Sequence, residues 1–594
     1  MKIWGDNLPM DQKLHAALPA HYQKLAASFH PTGLGNFEAH IFRKNGSPDF
    51  LNCYLIRFHD ATVKYDVFAY PLEEVSGILD IHPDHWEFYD FRGRHKGGEV
   101  FTAGRFQPNP ANHNEDQLTV RIRGQNVVLD SELEAALNDP EMKQAWKVFS
   151  PTGRMHFSAT VNRVGPKPPE VEVGVTALGC SIKPEFFPYF VTDLTGTMHY
   201  LRRWVHVEKL QARHGKSVVK LEKGKFFCKP EGGVWGEISK LQGRLLLPDA
   251  DLLRALPPVL RKTCETLEIK DPVTFESNLT VATAPGNVTS PDIYWDGKIG
   301  LQDASVKTGV LWEQVSGTVG CQGRYNGREL EGMVGNISVN QARLFAQSFQ
   351  DIQGTMEIRK EAPDVLVIPG IYARIYGGEV YGPVRVNLGP QPDYELKLTA
   401  SQVRLEEFGR HNLKRDAPIS GLVNAQLHLQ GKGPDIRDLT GRGSIDVENG
   451  QMYNLPPILD LLKFLSLSPP DGTLFEEAHA NFTIRGQRVA VSRMDLFGNF
   501  ISLRGQGDMN LDGTELNLDF FAVWARVIQL LPPVIKELPQ ELSKYLLKIK
   551  MRGRINDVRF TKEPVPVVLE PIKGILEKMI KMRKDNKLAP RRPA

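Results

Sequence analysis

Five groupings in this chain have the residue types and spacing to do chemistry. Asp508-x-Asn510-x-Asp512-Gly513, with Asp519 at the twelfth position, matches the start of a calcium loop. Its flanks alternate like strands rather than helices, so it reads as a β-hairpin turn at Asp512-Gly513. His82, Asp84 and His85 offer metal-ligand atoms. The residues 119 positions later are Leu201, Arg203 and Trp204, which excludes a metal essential to every repeat. Arg94-His95 and Arg213-His214 either meet anionic headgroups or form polar pairs on a wet strand face. Glycines near 441–443 and 505–507 lack the Lys-Ser/Thr of a phosphate loop and read as sheet bends. Cys53, Cys180, Cys228, Cys264 and Cys321 are odd in number and widely spaced, which argues against a disulfide framework or a zinc site. No G-x-S-x-G, H-E-x-x-H or Cys/His pairing is present, and neither a catalytic residue nor a cofactor is expected.

The elements that position such residues follow from an internal repeat. Asp11, Asp130 and Asp249 are 119 residues apart, and each precedes Leu and Ala at helical spacing, as a helix N-cap does. The first two helices are expected to end alike, at Phe29-His-Pro-Thr-Gly33 and Phe149-Ser-Pro-Thr-Gly153. Later, Val75-Ser-Gly77, Leu194-Thr-Gly196 and Val315-Ser-Gly317 correspond. Between the helices, Leu118–Ile122 and Phe157–Val161 alternate apolar and polar residues, the pattern of a half-buried strand. Each unit therefore reads as one helix plus five or six antiparallel strands, over residues 1–127, 128–246 and 247–337.

The rest stays β-rich. Val384, Val386 and Leu388 alternate with polar neighbours, as do Leu396 and Leu398, and Leu516, Leu518 and Phe520. An apolar helix is expected over 457–467, an amphipathic one over 534–548, and a basic amphipathic one over 572–584. The last either rests on an anionic bilayer or caps the end of the sheet.

The chain has 594 residues with 73 basic and 70 acidic side chains, a balance that gives no support to nucleic-acid binding. The N-terminus has no apolar signal-peptide core. The most apolar run, 523–535, contains Arg526, Gln529 and Pro532-Pro533, and spanning needs about 20 apolar residues. The polypeptide reads as soluble or peripheral.

The ordered set Leu439–Gly450, Met452–Pro456, Phe482–Gly486, Leu496–Gly498, Ile501–Gly507, Met509–Gly513 and Lys550–Phe560 resembles the C-terminal region of AsmA-like proteins, the bacterial envelope family with TamB-type and YhdP-type members. The resemblance covers about residues 330–560, so 338–562 is read as an AsmA-like region and 563–594 as a basic helix and tail. It implies an elongated, twisted, antiparallel sheet coiled into an open apolar groove, with phospholipid acyl chains as ligand and a place in the periplasm. The family usually starts with an inner-membrane anchor helix, which this chain lacks, so a truncated reading or a different mode of delivery is expected. About 25 to 30 strands at ~4.8 Å would make a sheet on the order of 120–145 Å long. Val384, Val386, Leu388, Leu396, Leu398, Leu516, Leu518 and Phe520 are the expected lipid-groove residues. The alternatives are a non-catalytic envelope scaffold and, third, a carbohydrate-active β-repeat enzyme.

Overall fold

The computed structural model describes residues 1–17, 23, 27–43, 46–48, 50–66, 68–137, 140–307, 311–344, 346–388, 393–412, 419–433, 435–452, 456–465, 475–499, 501–524, 546–554, 557–564 and 570–584. The protein is mainly β, 71% strand and 13% helix, and its 29 strands form one open antiparallel sheet. In every pair whose register is described, a strand joins its immediate successor, as in a meander. Two compact units are present: Met1–Arg261 with Asp271–Ile299 and Gln322–Glu331, and Lys262–Lys270 with Gly300–Cys321 and Gly332–Ala594.

In the first unit the helices start where the aspartates stand. Asp11 Oδ1 accepts from the backbone N–H groups of Lys13 and Leu14 at 2.9 Å. Asp130 and Asp249 do the same for the second and third residues after them. Such caps satisfy donors a helix start leaves open and stabilise by about 1 kcal/mol each. The helix Ser131–Ala136 is separated from Pro140–Phe149, so the single run to Phe149 expected from the sequence is broken, with a proline opening the second helix. Leu133 and Ala136 pack on Tyr70, Val100 and Val127, and Leu252 and Ala255 pack on Tyr189, Val191 and Ala212. Six strands lie between Thr32 and Leu129, and six between Gly153 and Leu246.

Left-handed backbone recurs at fixed intervals, at Asn7, Asn126 and Leu245 and again at Glu74 and Asp193. Several of these residues adjoin breaks in strand register, such as that between Gly124 and Val127. There an extra residue bends the strand and raises its twist. Gly77 and Gly196 both lie on the third strand after a helix, and a Cβ on either would run into the next strand, at Phe91 and Leu210.

The second unit holds the largest core. Leu516, Leu518, Phe520, Ile549, Met551, Leu503 and Leu461 are among its buried residues. The helix Pro456–Phe464 brings Leu461 to the sheet, 3% exposed, with Phe464 stacked on Phe560 at 5.5 Å. The helix Glu570–Lys584 packs on the strands Ile501–Asn510 and Leu516–Trp524, with Ile575, Leu576 and Met579 at 0% exposure. The helix thus lies on the face of two strands that are not the last of the sheet, rather than capping the sheet's end, and Ile575, Leu576 and Met579 are buried there while Ile580 is half-buried. Helix Leu405–Asn412 was not legible in the sequence. Residues 546–548, expected at the end of a helix, belong instead to the strand Leu546–Arg554. The remainder of that expected helix, and residues 466–467 of the other, lie outside the described residues.

Candidate functional site

Paired residues in antiparallel strands point to the same face, so register reveals what each face carries. In the second unit, Ile368 pairs with Val384, Val384 with Leu396, and Leu396 with Leu429. The row continues through Gly441, Ile484, Val489 and Met509 to Leu516. Beside it, Leu398, Leu427, Gly443, Phe482, Val491, Gly507 and Leu518 form a second row. The opposite face carries Lys397, His428, Arg442, Thr483, Ala490, Asp508 and Asn517 across the same strands.

The first unit repeats the arrangement on its own residues. Val100, Gly124, Phe157, Val175, Met198, Val207, Gly224, Ile238 and Leu279 are consecutive partners. Their neighbours on the other face include Arg123, Ser158, His199, His206, Lys225 and Glu237.

Glycines in these rows have a packing role. Aromatic rings lie over them: Phe157 over Gly124, Phe482 over Gly443, Phe520 over Gly505. A Cβ at Gly443 would come within 2.5 Å of Phe482 Cζ. Gly441, Gly443 and Gly505 are thus in-strand seats for neighbouring side chains, a role the sequence reading as bends did not include, whereas Gly507, at positive φ beside a register break, fits that reading.

The eight expected groove residues divide. Val384 and Leu398 are half-buried on the apolar face, and Val386 and Leu396 are half-buried against the large core. Leu388, just past its strand, is 4% exposed. Leu516, Leu518 and Phe520 are 4%, 3% and 3% exposed and sit in the same core as Leu461. Alternation places these three on the apolar face correctly, but not on an open stretch of it. The structure corrects that expectation, because packed protein covers them.

The calcium-like sequence is a hairpin between Ile501–Asn510 and Leu516–Trp524. Asp512 accepts from Thr514 N at 3.0 Å and Thr514 Oγ1 at 2.6 Å. Asp508 faces Arg488 and Asn517, and Asp519 faces Lys548 and Arg552. These carboxylates face separate partners and do not encircle one centre. His82 faces Asp80 at 3.1 Å while His85 bonds Asp84 at 2.8 Å, the two rings stacked 4.4 Å apart. Among the described residues, His95, Asp130 and Glu132 are the group whose ligand atoms converge. The sequence held these residues separately, and nothing in their spacing joined them.

In the second unit a buried ion cluster stands under the C-terminal helix. Asp495, 0% exposed, accepts from Arg504 Nε at 2.6 Å and Nη2 at 3.0 Å, and from Arg493 Nε at 2.7 Å. Burial alone would raise its carboxyl, but the hydrogen bonds from Arg504 and Arg493 hold it below the usual carboxylate range.

No family model matches the chain, and no curated protein matches it. No helix among the described residues is long and apolar enough to cross a membrane, which says nothing about strands.

Proposed function

We propose that the protein binds phospholipid acyl chains along the apolar face of its sheet and carries them between membranes of a bacterial envelope. The observation that carries this reading is the pair of cross-strand rows, apolar on one face and polar on the other. Side chains such as Val175, Met198, Ile238, Val384 and Leu398 are only half-buried there. A sheet face of this kind is covered by a second layer or by ligand. Each acyl CH₂ buried on such a face contributes about 0.8 kcal/mol, and an open face leaves the headgroup in water.

The recurrence of caps, left-handed residues and glycines at 119-residue intervals supports reading the first units as copies of one element. Copies stacked edge to edge extend a single face, the form of the groove that the AsmA-like resemblance implies. The envelope and periplasm rest on that resemblance.

A scaffold without cargo is the second reading. It is favoured locally by the core around Leu461, Leu518 and Phe520, where protein fills the apolar face. Photo-crosslinking separates the two. A photoreactive residue at Leu398 or Val175 should capture lipid from vesicles, and one at Lys397 or Thr176 should not. Equal capture at both parities, or none, would sink the lipid reading in favour of the scaffold.

A further inference from the structure

We infer that His95, Asp130 and Glu132 form a binding site for a divalent transition-metal cation, of which Zn²⁺ is the representative. His95 ends the strand Trp86–His95, and the two carboxylates open the helix Ser131–Ala136. His95 is 8% exposed. Its Nε2 lies 2.6 Å from Glu132 Oε2, and one ligand atom from each of the three residues lies within 4.8 Å of the others. Ligands of one tetrahedral zinc ion, each at about 2.0–2.2 Å from it, sit about 3.3–3.6 Å apart, so side-chain rotations must draw the three groups together around the ion.

One further observation marks the spot as suited to a cation. Lys96 Nζ already bridges Asp130 Oδ2 and Glu132 Oε2, at 2.8 Å to each. Its side chain is 46% exposed, so it can swing into solvent and surrender both oxygens. Beneath them, the Tyr70 hydroxyl is buried and has no hydrogen-bond partner, and its ring meets His95 edge-on at 4.7 Å. One imidazole and two carboxylates suit a borderline divalent ion better than calcium, which takes six to eight oxygens.

The same positions 119 residues on provide an internal comparison. His214 Nε2 lies 3.3 Å from Asp249 and 3.7 Å from Asp251, and its Nδ1 donates to the Phe190 carbonyl at 2.6 Å. Asp251 is one methylene shorter than Glu132 and is drawn to Arg254 at 2.6 Å. Tyr189, 119 residues after Tyr70, has the same buried hydroxyl without a partner, and its ring meets His214 at 4.3 Å, so the phenol belongs to the repeat. What sets the first copy apart is the convergence of His95, Asp130 and Glu132, and binding is assigned there.

The test is titration of the chelator-treated full chain with Zn²⁺ by calorimetry, with Co²⁺ absorption as a second readout. One equivalent should bind. Lys96→Ala removes the competing ammonium and should tighten binding by about tenfold or more. Glu132→Gln should weaken it by at least about tenfold, with the metal-free melting temperature near that of the parent because the Asp130 cap remains. Absence of binding in both the parent and Lys96→Ala would overturn the site. Binding by Glu132→Gln equal to that of the parent would overturn it too.

Discussion

Replacing Asp495 with alanine is expected to destabilise the second unit by about 3–5 kcal/mol, chiefly through the arginine it strands. The cost divides unequally between its two partners. Arg504 is 14% exposed and makes two bonds to the carboxylate, so it has little route to water once that carboxylate is gone. Arg493 is 45% exposed and can turn outward, so its share is within about 1 kcal/mol. Asp495→Leu combined with Arg504→Leu removes both buried charges and should recover most of the loss, because burying an ion pair gains little over well-packed apolar groups. The assay is urea denaturation followed by near-ultraviolet circular dichroism, comparing midpoints of the transition. The same cluster sets a pH dependence. Because the folded carboxyl is held below its ordinary value of 3.8, its contribution is complete above that value. It is lost as pH falls through the lower, folded one. The parent should therefore lose stability at the acid end more steeply than the double variant. A single-variant loss below about 1 kcal/mol, or a double variant no better than the single, would refute the reasoning.

Gly124→Val should cost about 1–3 kcal/mol by overpacking against Phe157, whereas Gly370→Ala, where a Cβ meets nothing within 4 Å, should fall within about 0.5 kcal/mol; thermal melts compare them. Asp249→Ala should cost about 1 kcal/mol through loss of its helix cap, read from the denaturation midpoint. Calcium should leave the melting temperature unchanged. If the parent does shift, Asp508→Ala plus Asp512→Asn should shift equally, and loss of the shift in that variant would overturn the hairpin assignment.

How much was legible differs from element to element. Strict alternation at Leu118–Ile122, Phe157–Val161 and Val384–Leu388 was enough to read strands, because only a period of two puts every second side chain on one face. The aspartates at 119-residue spacing were enough to place helix starts, since capping is a local bond to the next two or three amides. Leu405–Asn412 was missed because a short helix carries little periodic signal.

What lies over a face is not local, and only the tertiary structure decided it. Leu398 and Leu518 have the same alternation and share one cross-strand row. One is half-buried and the other lies in a core with Leu461, which is 57 residues before it in the chain. Phe520-Phe-Ala-Val-Trp524 loses its alternation because the sheet is covered on both faces there, by protein around Leu461 on one side and the helix Glu570–Lys584 on the other. The meeting of Tyr70, His95, Asp130 and Glu132 is of the same kind. Each is an ordinary residue in its own segment, and strand register together with helix docking brings the ligand atoms of His95, Asp130 and Glu132 within 4.8 Å of one another and lays the Tyr70 ring against His95. Alternation is a property of one strand, whereas cover, convergence and burial belong to whatever other part of the chain folds against it.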